Sequence, residues 1–279
     1  MKVKCKIFFL FLFSIVFISC NSEMKYGTPN IDVTTLNTNF FKWYNYQHES
    51  VVLSSEFVPL NNKGSIVDEG TFLKMLTTGK FIPIKLKNTS NSKTYYQLFN
   101  TTNDTIQSYM SRLAEIRLNY FLMENTPFPD FSFTDINGRT YTKASLKGKT
   151  IFFKTWFIGC KPCVEEFPIL NQLVKNHEGK RDTVFISLAL DTKEKLTAFL
   201  AEKPFEYIVI PKQKTFIKEQ LKTSTYPTHI LVDKNGTIKK VVNNIEELPI
   251  DVSNLEEVKN NKEEEKLPPP PPPAEGLKS

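Results

Sequence analysis

The chain has 279 residues, of which 40% are hydrophobic and 13% aromatic. That length holds roughly two domains with packed cores. The formal charge is +6, and three lysines at the extreme N-terminus supply half of it. Acids and bases are otherwise interspersed, with no basic stripe carrying aromatics, which excludes a nucleic-acid-binding surface.

Lys2, Lys4 and Lys6 precede an apolar run at 7–18 that only Ser14 interrupts. Twelve residues are too few for a bilayer core, which needs roughly 20, and the pattern is that of a secretory leader. Phe17-Ile18-Ser19-Cys20 resembles the lipobox of bacterial lipoproteins, with Phe17 in the usual leucine position. This predicts a signal peptide over 1–19 and lipidation of Cys20, hence attachment to a bacterial membrane in the cell envelope, facing the periplasm. The alternative is an ordinary signal peptide cut near Ser19, leaving Cys20 a plain thiol. Export places the remaining cysteines where disulfides persist.

Residues 20–39 are polar and read as a tether. A small α+β unit of unassigned role is expected over 40–126. Within it, 50–60, 81–86 and 94–99 have strand composition, and the last two flank a polar turn at 88–92. Ile106, Tyr109, Met110, Leu113, Ile116, Tyr120 and Phe121 recur at helical spacing, predicting a helix over 105–123 capped by Asp104 or Thr105. His48 and the Trp43-Tyr44-Tyr46 aromatics read as core or surface, not as a site.

Pro127-Phe128-Pro129 marks a boundary. Beyond it, over 127–250, strands alternate with helices, the pattern of a central sheet covered on its faces. Strands are expected at 131–133 and 140–141, around the Asp135-Ile136-Asn137-Gly138 turn, and at 150–157, 183–190, 205–210, 230–232 and 237–242. Helices are expected at 162–176, 192–203 and 215–221. Residues 251–279 are charged and then proline-rich, with Pro268 to Pro273 uninterrupted; they read as an extended, disordered tail.

Four cysteines are present. Cys5 falls in the leader and Cys20 at its end, so the mature chain keeps one pair, Cys160-Lys161-Pro162-Cys163. Such a pair is a structural bond, half of a metal site or a redox centre. Disulfide exchange needs a thiolate. A helix starting near Pro162 would stabilise one on Cys160 through its unpaired amides. Cys160 is then the expected nucleophile, and Cys163, one step inside the helix, the resolving thiol.

Several motifs occur in an order that resembles the TlpA/ResA-like branch of the thioredoxin superfamily. These are Pro129-Asp130-Phe131, Asp135 to Arg139, Leu146 to Trp156, Cys160 to Pro168, Ser224-Thr225-Tyr226-Pro227-Thr228 and Asp233-Lys234-Asn235-Gly236. The resemblance spans about 128–242 and does not extend to 21–125. It implies an α/β thioredoxin-like fold, a central mixed sheet with helices on both faces, preceded by the small α+β unit. It also implies thiol–disulfide exchange with protein thiols and disulfides and with an upstream redox partner, more as a reductase than an oxidant, without a cofactor or metal. Cys160 would attack and Cys163 resolve. Pro227 would be cis, facing the disulfide, with Tyr226 and Thr228 beside it at the client-binding edge. Glu166 would tune or relay the Cys163 proton, and Trp156 would pack behind the centre as part of the binding region.

Two positions depart from the pattern. Gly159 replaces a frequent tryptophan, and Lys154 stands where cytosolic thioredoxins have a buried acid. Zinc is disfavoured, because one cysteine pair supplies two of the four ligands a structural site needs. A peroxiredoxin would have threonine at Phe157 and proline at Phe153. A lipid-anchored thioredoxin-like scaffold with a merely structural disulfide stands as the alternative.

Overall fold

The computed structural model describes residues 25–87, 92–179 and 182–249. The leader, Cys5, Cys20, most of the expected 88–92 turn and the proline-rich tail lie outside the described residues. No helix among the described residues is long and apolar enough to cross a membrane.

The first layer is built from strands β1 (Thr28–Pro29), β2 (Val58–Leu60), β3 (Phe81–Lys87) and β4 (Tyr95–Asn100), in the order β1-β3-β4-β2. Helices α1 (Val33–Thr38), α2 (Phe40–Ser50), α3 (Glu69–Thr77) and α4 (Asp104–Met123) accompany it. The expected tether is therefore folded from Thr28 onward. Val33, Leu36 and Phe40, spaced as one helical face, all pack into the first core. Asp32 starts α1 by accepting the Thr34 amide at 3.0 Å, and Asn39 starts α2 by accepting the Lys42 amide at 3.0 Å. The strand expected at 50–60 is corrected to three residues. Residue 50 still belongs to α2, and Val51 and Leu53 bury their side chains from a turn without joining a ladder. Asp68 caps α3, a helix the sequence reading did not contain. α4 is capped by Asn103, whose Oδ1 accepts the Ile106 amide at 3.2 Å, and not by Asp104 or Thr105.

The second layer has a short hairpin, β5 (Ser132–Thr134) and β6 (Thr140–Thr142), and a five-stranded sheet. Its strands are β7 (Thr150–Trp156), β8 (Thr183–Ala189), β9 (Ile208–Ile210), β10 (Thr228–Val232) and β11 (Ile238–Val242), in the order β11-β10-β7-β8-β9. β7, β8 and β9 are parallel, while β10 runs antiparallel to both β7 and β11. This is the mixed thioredoxin-like sheet that the resemblance implied. Asn125 to Phe128 hydrogen-bond to the start of β11 and the turn before it, with Asn125 N to Ile238 O at 2.7 Å and Phe128 N to Gly236 O at 2.9 Å, and so cover the first end of that edge.

Side-chain alternation along β7 sorts the two faces. Ile151 and Phe153 join the core with α4, the hairpin and Ile217, whereas Phe152 and Trp156 join the clusters on the other face. That other face is covered by α5 (Lys161–Glu165), α6 (Phe167–Lys175) and α7 (Lys193–Glu202). The single helix expected at 162–176 is split at Glu166. Pro168 has no amide to give to the Val164 carbonyl, so it fits the first turn of a new helix and not the interior of an old one. The helix expected at 215–221 is a π-turn, Phe216–Gln220, closed by the Leu221 amide on the Phe216 carbonyl at 3.1 Å.

α4 serves both layers. Ile106, Met110 and Ala114 are in the first core, and Tyr120, Ile116 and Met123 in the second. Twenty residues at 1.5 Å each make it about 30 Å long, enough to reach across both. The expected boundary at 126/127 thus falls just after an element that the two cores share.

Candidate active site

β7 delivers the chain to the end of the sheet at Trp156, and the loop over 157–159 turns it into α5. Cys160 is the N-cap of that helix, and its carbonyl accepts the Val164 amide at 3.2 Å. Cys160 and Cys163 are joined in a disulfide. Cys160 is 5% exposed and Cys163 0%, so the thiol expected to attack is the one nearer solvent. α5 is only five residues long, shorter than the continuous helix the sequence implied. Stabilisation of a Cys160 thiolate therefore rests on the first-turn amides and not on a long dipole. Gly159 is exposed, and a β-carbon there would meet only the Phe157 ring at 3.4 Å.

The Tyr226–Pro227 peptide is cis. Tyr226 is half-buried, packs against the cluster that holds both cysteines, and meets Phe157 edge-on with ring centroids 5.4 Å apart. Its hydroxyl is pushed above the usual phenol range by burial. Trp156 packs behind the centre, whereas Thr228, expected at the client-binding edge, is corrected. Trp156 is fully buried against Phe167, Phe199 and Phe205, and it supports the cysteine cluster from behind. Thr228 is also fully buried. Its hydroxyl donates to the Thr225 carbonyl at 2.7 Å and its amide to Thr155 Oγ1 at 3.1 Å. Neither side chain presents surface to a visiting protein.

A polar trio of two buried residues and one partly exposed one joins β7, β10 and the α5–α6 break. The β7 alternation puts Lys154 on the same face as Phe152 and Trp156, at 0% exposure. Its cross-strand partner on β10 is His229, at 1%. The break between α5 and α6 sets Glu166 down on both. Lys154 Nζ donates to Glu166 Oε2 in a tight ion pair, and His229 Nε2 lies 3.0 Å from Oε2 and 3.3 Å from Oε1. Burial draws the Lys154 ammonium below its usual range, and the Glu166 carboxylate opposes that. Burial would raise the Glu166 carboxyl, but His229 and Lys154 together outweigh it and hold it below the ordinary range. Burial first, and then the Lys154 charge, push His229 down. The Glu166 carboxyl thus faces Lys154 Nζ on one side and His229 Nε2 on the other.

Glu166 is three residues past Cys163, on the same helical side, but its oxygens are already engaged. Lys154 was noticed in the sequence as a departure. His229 was missed, since only the register of β10 against β7 puts it opposite Lys154. Tyr120 and Asn243 were also missed as neighbours of the proline loop. Asn243 Nδ2 donates to the Pro227 carbonyl at 2.6 Å.

Residues 123–259 match the Redoxin family. A thiol-disulfide oxidoreductase ResA of Bacillus cereus is 31% identical over 115 residues, covering 41% of this chain and 66% of that protein. ResA of Geobacillus thermodenitrificans is 25% identical over 114 residues, with the same coverage. The match thus spans just under two thirds of these relatives' length. Among solved structures, the thioredoxin domain of a thiol-disulfide oxidoreductase from Bacteroides vulgatus superposes with a TM-score of 0.41 at 22% identity, covering 48% of this chain and 96% of that one.

Proposed function

We infer from the Redoxin-family domain at 123–259, on the ResA-like side of the thioredoxin superfamily, that this chain is a thiol–disulfide oxidoreductase acting on protein substrates. The observation that carries the reading is the Cys160–Cys163 disulfide at a helix start, packed in one cluster with the residue of a cis Tyr226–Pro227 peptide. In the reducing direction, the Cys160 thiolate attacks a client disulfide and forms a mixed disulfide, and one client thiolate leaves. Cys163 loses its proton and attacks the Cys160 sulfur, releasing the second client thiolate. The client gains two electrons and two protons, and Cys160–Cys163 closes. An upstream dithiol partner reopens it.

Glu166, three residues past Cys163 and held by Lys154 and His229, tunes or relays the Cys163 proton. Tyr226 offers its backbone to an extended client, in the manner of an added strand. The leader pattern at 2–20 supports export and a lipid anchor at Cys20, which would hold the enzyme on a bacterial membrane within the envelope. The interspersed charge offers no nucleic-acid surface.

Alkylation with mass readout across a dithiol redox series tests the reading. The pair should show one reversible two-electron transition, and Cys163→Ser should trap partners as mixed disulfides where Cys160→Ser does not. A pair that stays oxidised throughout would instead support the scaffold with a structural bond. A midpoint near roughly −270 mV marks a reductase, and one near roughly −120 mV an oxidant.

A further inference from the structure

The loop that ends in the cis peptide is fastened from behind by the first layer. Tyr120, in the last turn of α4, is 3% exposed. Its hydroxyl lies 3.0 Å from Thr228 Oγ1, 3.4 Å from Thr223 Oγ1 and 3.0 Å from Asn243 Nδ2. The Thr228 hydroxyl hydrogen is committed to the Thr225 carbonyl. Tyr120 must therefore donate to Thr228 Oγ1 and accept from Asn243. Asn243 places its other amide hydrogen on the Pro227 carbonyl at 2.6 Å. The preceding residue on α4, Asn119, donates from Nδ2 to the Lys222 carbonyl at 3.1 Å. Lys222 has φ +49°, a left-handed conformation that a lysine adopts only when its surroundings hold it there. Both ends of the 222–228 loop are thus tied to α4 by side-chain hydrogen bonds, directly or through Asn243.

We propose that Tyr120 is a positioning residue for client binding. Through it the N-terminal layer braces the cis-proline loop, so that the Tyr226 backbone edge is held ready for an extended polypeptide. This gives residues 40–126 a role in recognising chains, and it rests on the oxidoreductase reading. A small disulfide, which needs no backbone pairing, would not depend on the brace.

The test uses the full chain and Tyr120→Phe, which keeps the ring in the core and removes only the hydroxyl. Two probes are compared, a peptide carrying a glutathione mixed disulfide and a small aromatic disulfide. KM for the peptide should rise roughly five-fold, the size of one lost hydrogen bond, with kcat and the rate on the small disulfide within about two-fold. Hydrogen exchange should quicken at the amides of 222–229 and not in β7. Equal losses on both probes, or no change on either, would overturn the brace, as would unaltered exchange in the loop. If the wild-type chain exchanges neither disulfide, the oxidoreductase reading fails, and the exchange pattern still decides whether Tyr120 holds the loop.

Discussion

Glu166 is the residue on which the buried chemistry turns. Removing it leaves Lys154 fully buried without an anion, and breaking such a pair costs roughly 3–5 kcal/mol. Urea titration of Glu166→Ala should show a loss of that order. Lys154→Met together with Glu166→Gln should cost clearly less, because no charge is then stranded; equal losses would mean that the ion pair is not what holds the site. His229 sets a pH dependence. Its folded pKa lies below its unfolded value, so the unfolded chain binds the extra proton. Stability is then full above about pH 6.5 and falls as pH drops from there toward the folded pKa. Glu166, also depressed, adds its own loss only lower, as pH falls below about 4.5. Denaturation midpoints between pH 7.5 and 5 should therefore decline in the wild type and flatten in His229→Gln; an unchanged slope would refute the assignment. Of these three residues, the family resemblance pointed to Glu166 and marked Lys154 as a departure from the pattern. His229 carried no signal, because strand register is a tertiary property.

At the scale of elements, local rules succeeded where periodicity and caps agree, and failed where packing chose. The helix 105–123 and the strands flanking 88–92 have clear periods and came out within a residue or two. The 50–60 segment failed because β-branched and aromatic residues bury equally well from a turn. The helix over 162–176 failed at Pro168, whose meaning depends on whether a turn begins or continues there. That break is what lowers Glu166 onto Lys154. The cap of α4 offers a direct check. Asn103→Ala removes the acceptor for the Ile106 amide and should cost about 1 kcal/mol. Asn103→Asp should restore most of it; a loss below a few tenths would show that the cap carries little.

Over the whole molecule, α4 makes the two layers one structure. Arg117 bonds to the Leu53 carbonyl, Glu69 and Glu124, and Glu124 in turn receives the Val241 amide at 3.3 Å and Lys240 at 3.5 Å. The two tryptophans report separately, Trp43 from the first core and Trp156 from the cysteine cluster. Trp43→Phe and Trp156→Phe variants, each with one tryptophan left, should unfold with coincident fluorescence transitions after correction for their own stability changes. Separated midpoints would show that the layers fold independently.

The sequence alone determined the cysteine pair, the order of strands and helices after 127, and the family to which that order is similar. All of these depend on local spacing and on residue types that tolerate few alternatives. Only the tertiary structure decided the partners of Lys154, the split at Glu166 and the fastening of the proline loop by Tyr120. The first and last need residues more than ten positions apart to meet, and the free energy that brings them together comes from burying whole faces of sheet and helix, which no short stretch of chain encodes.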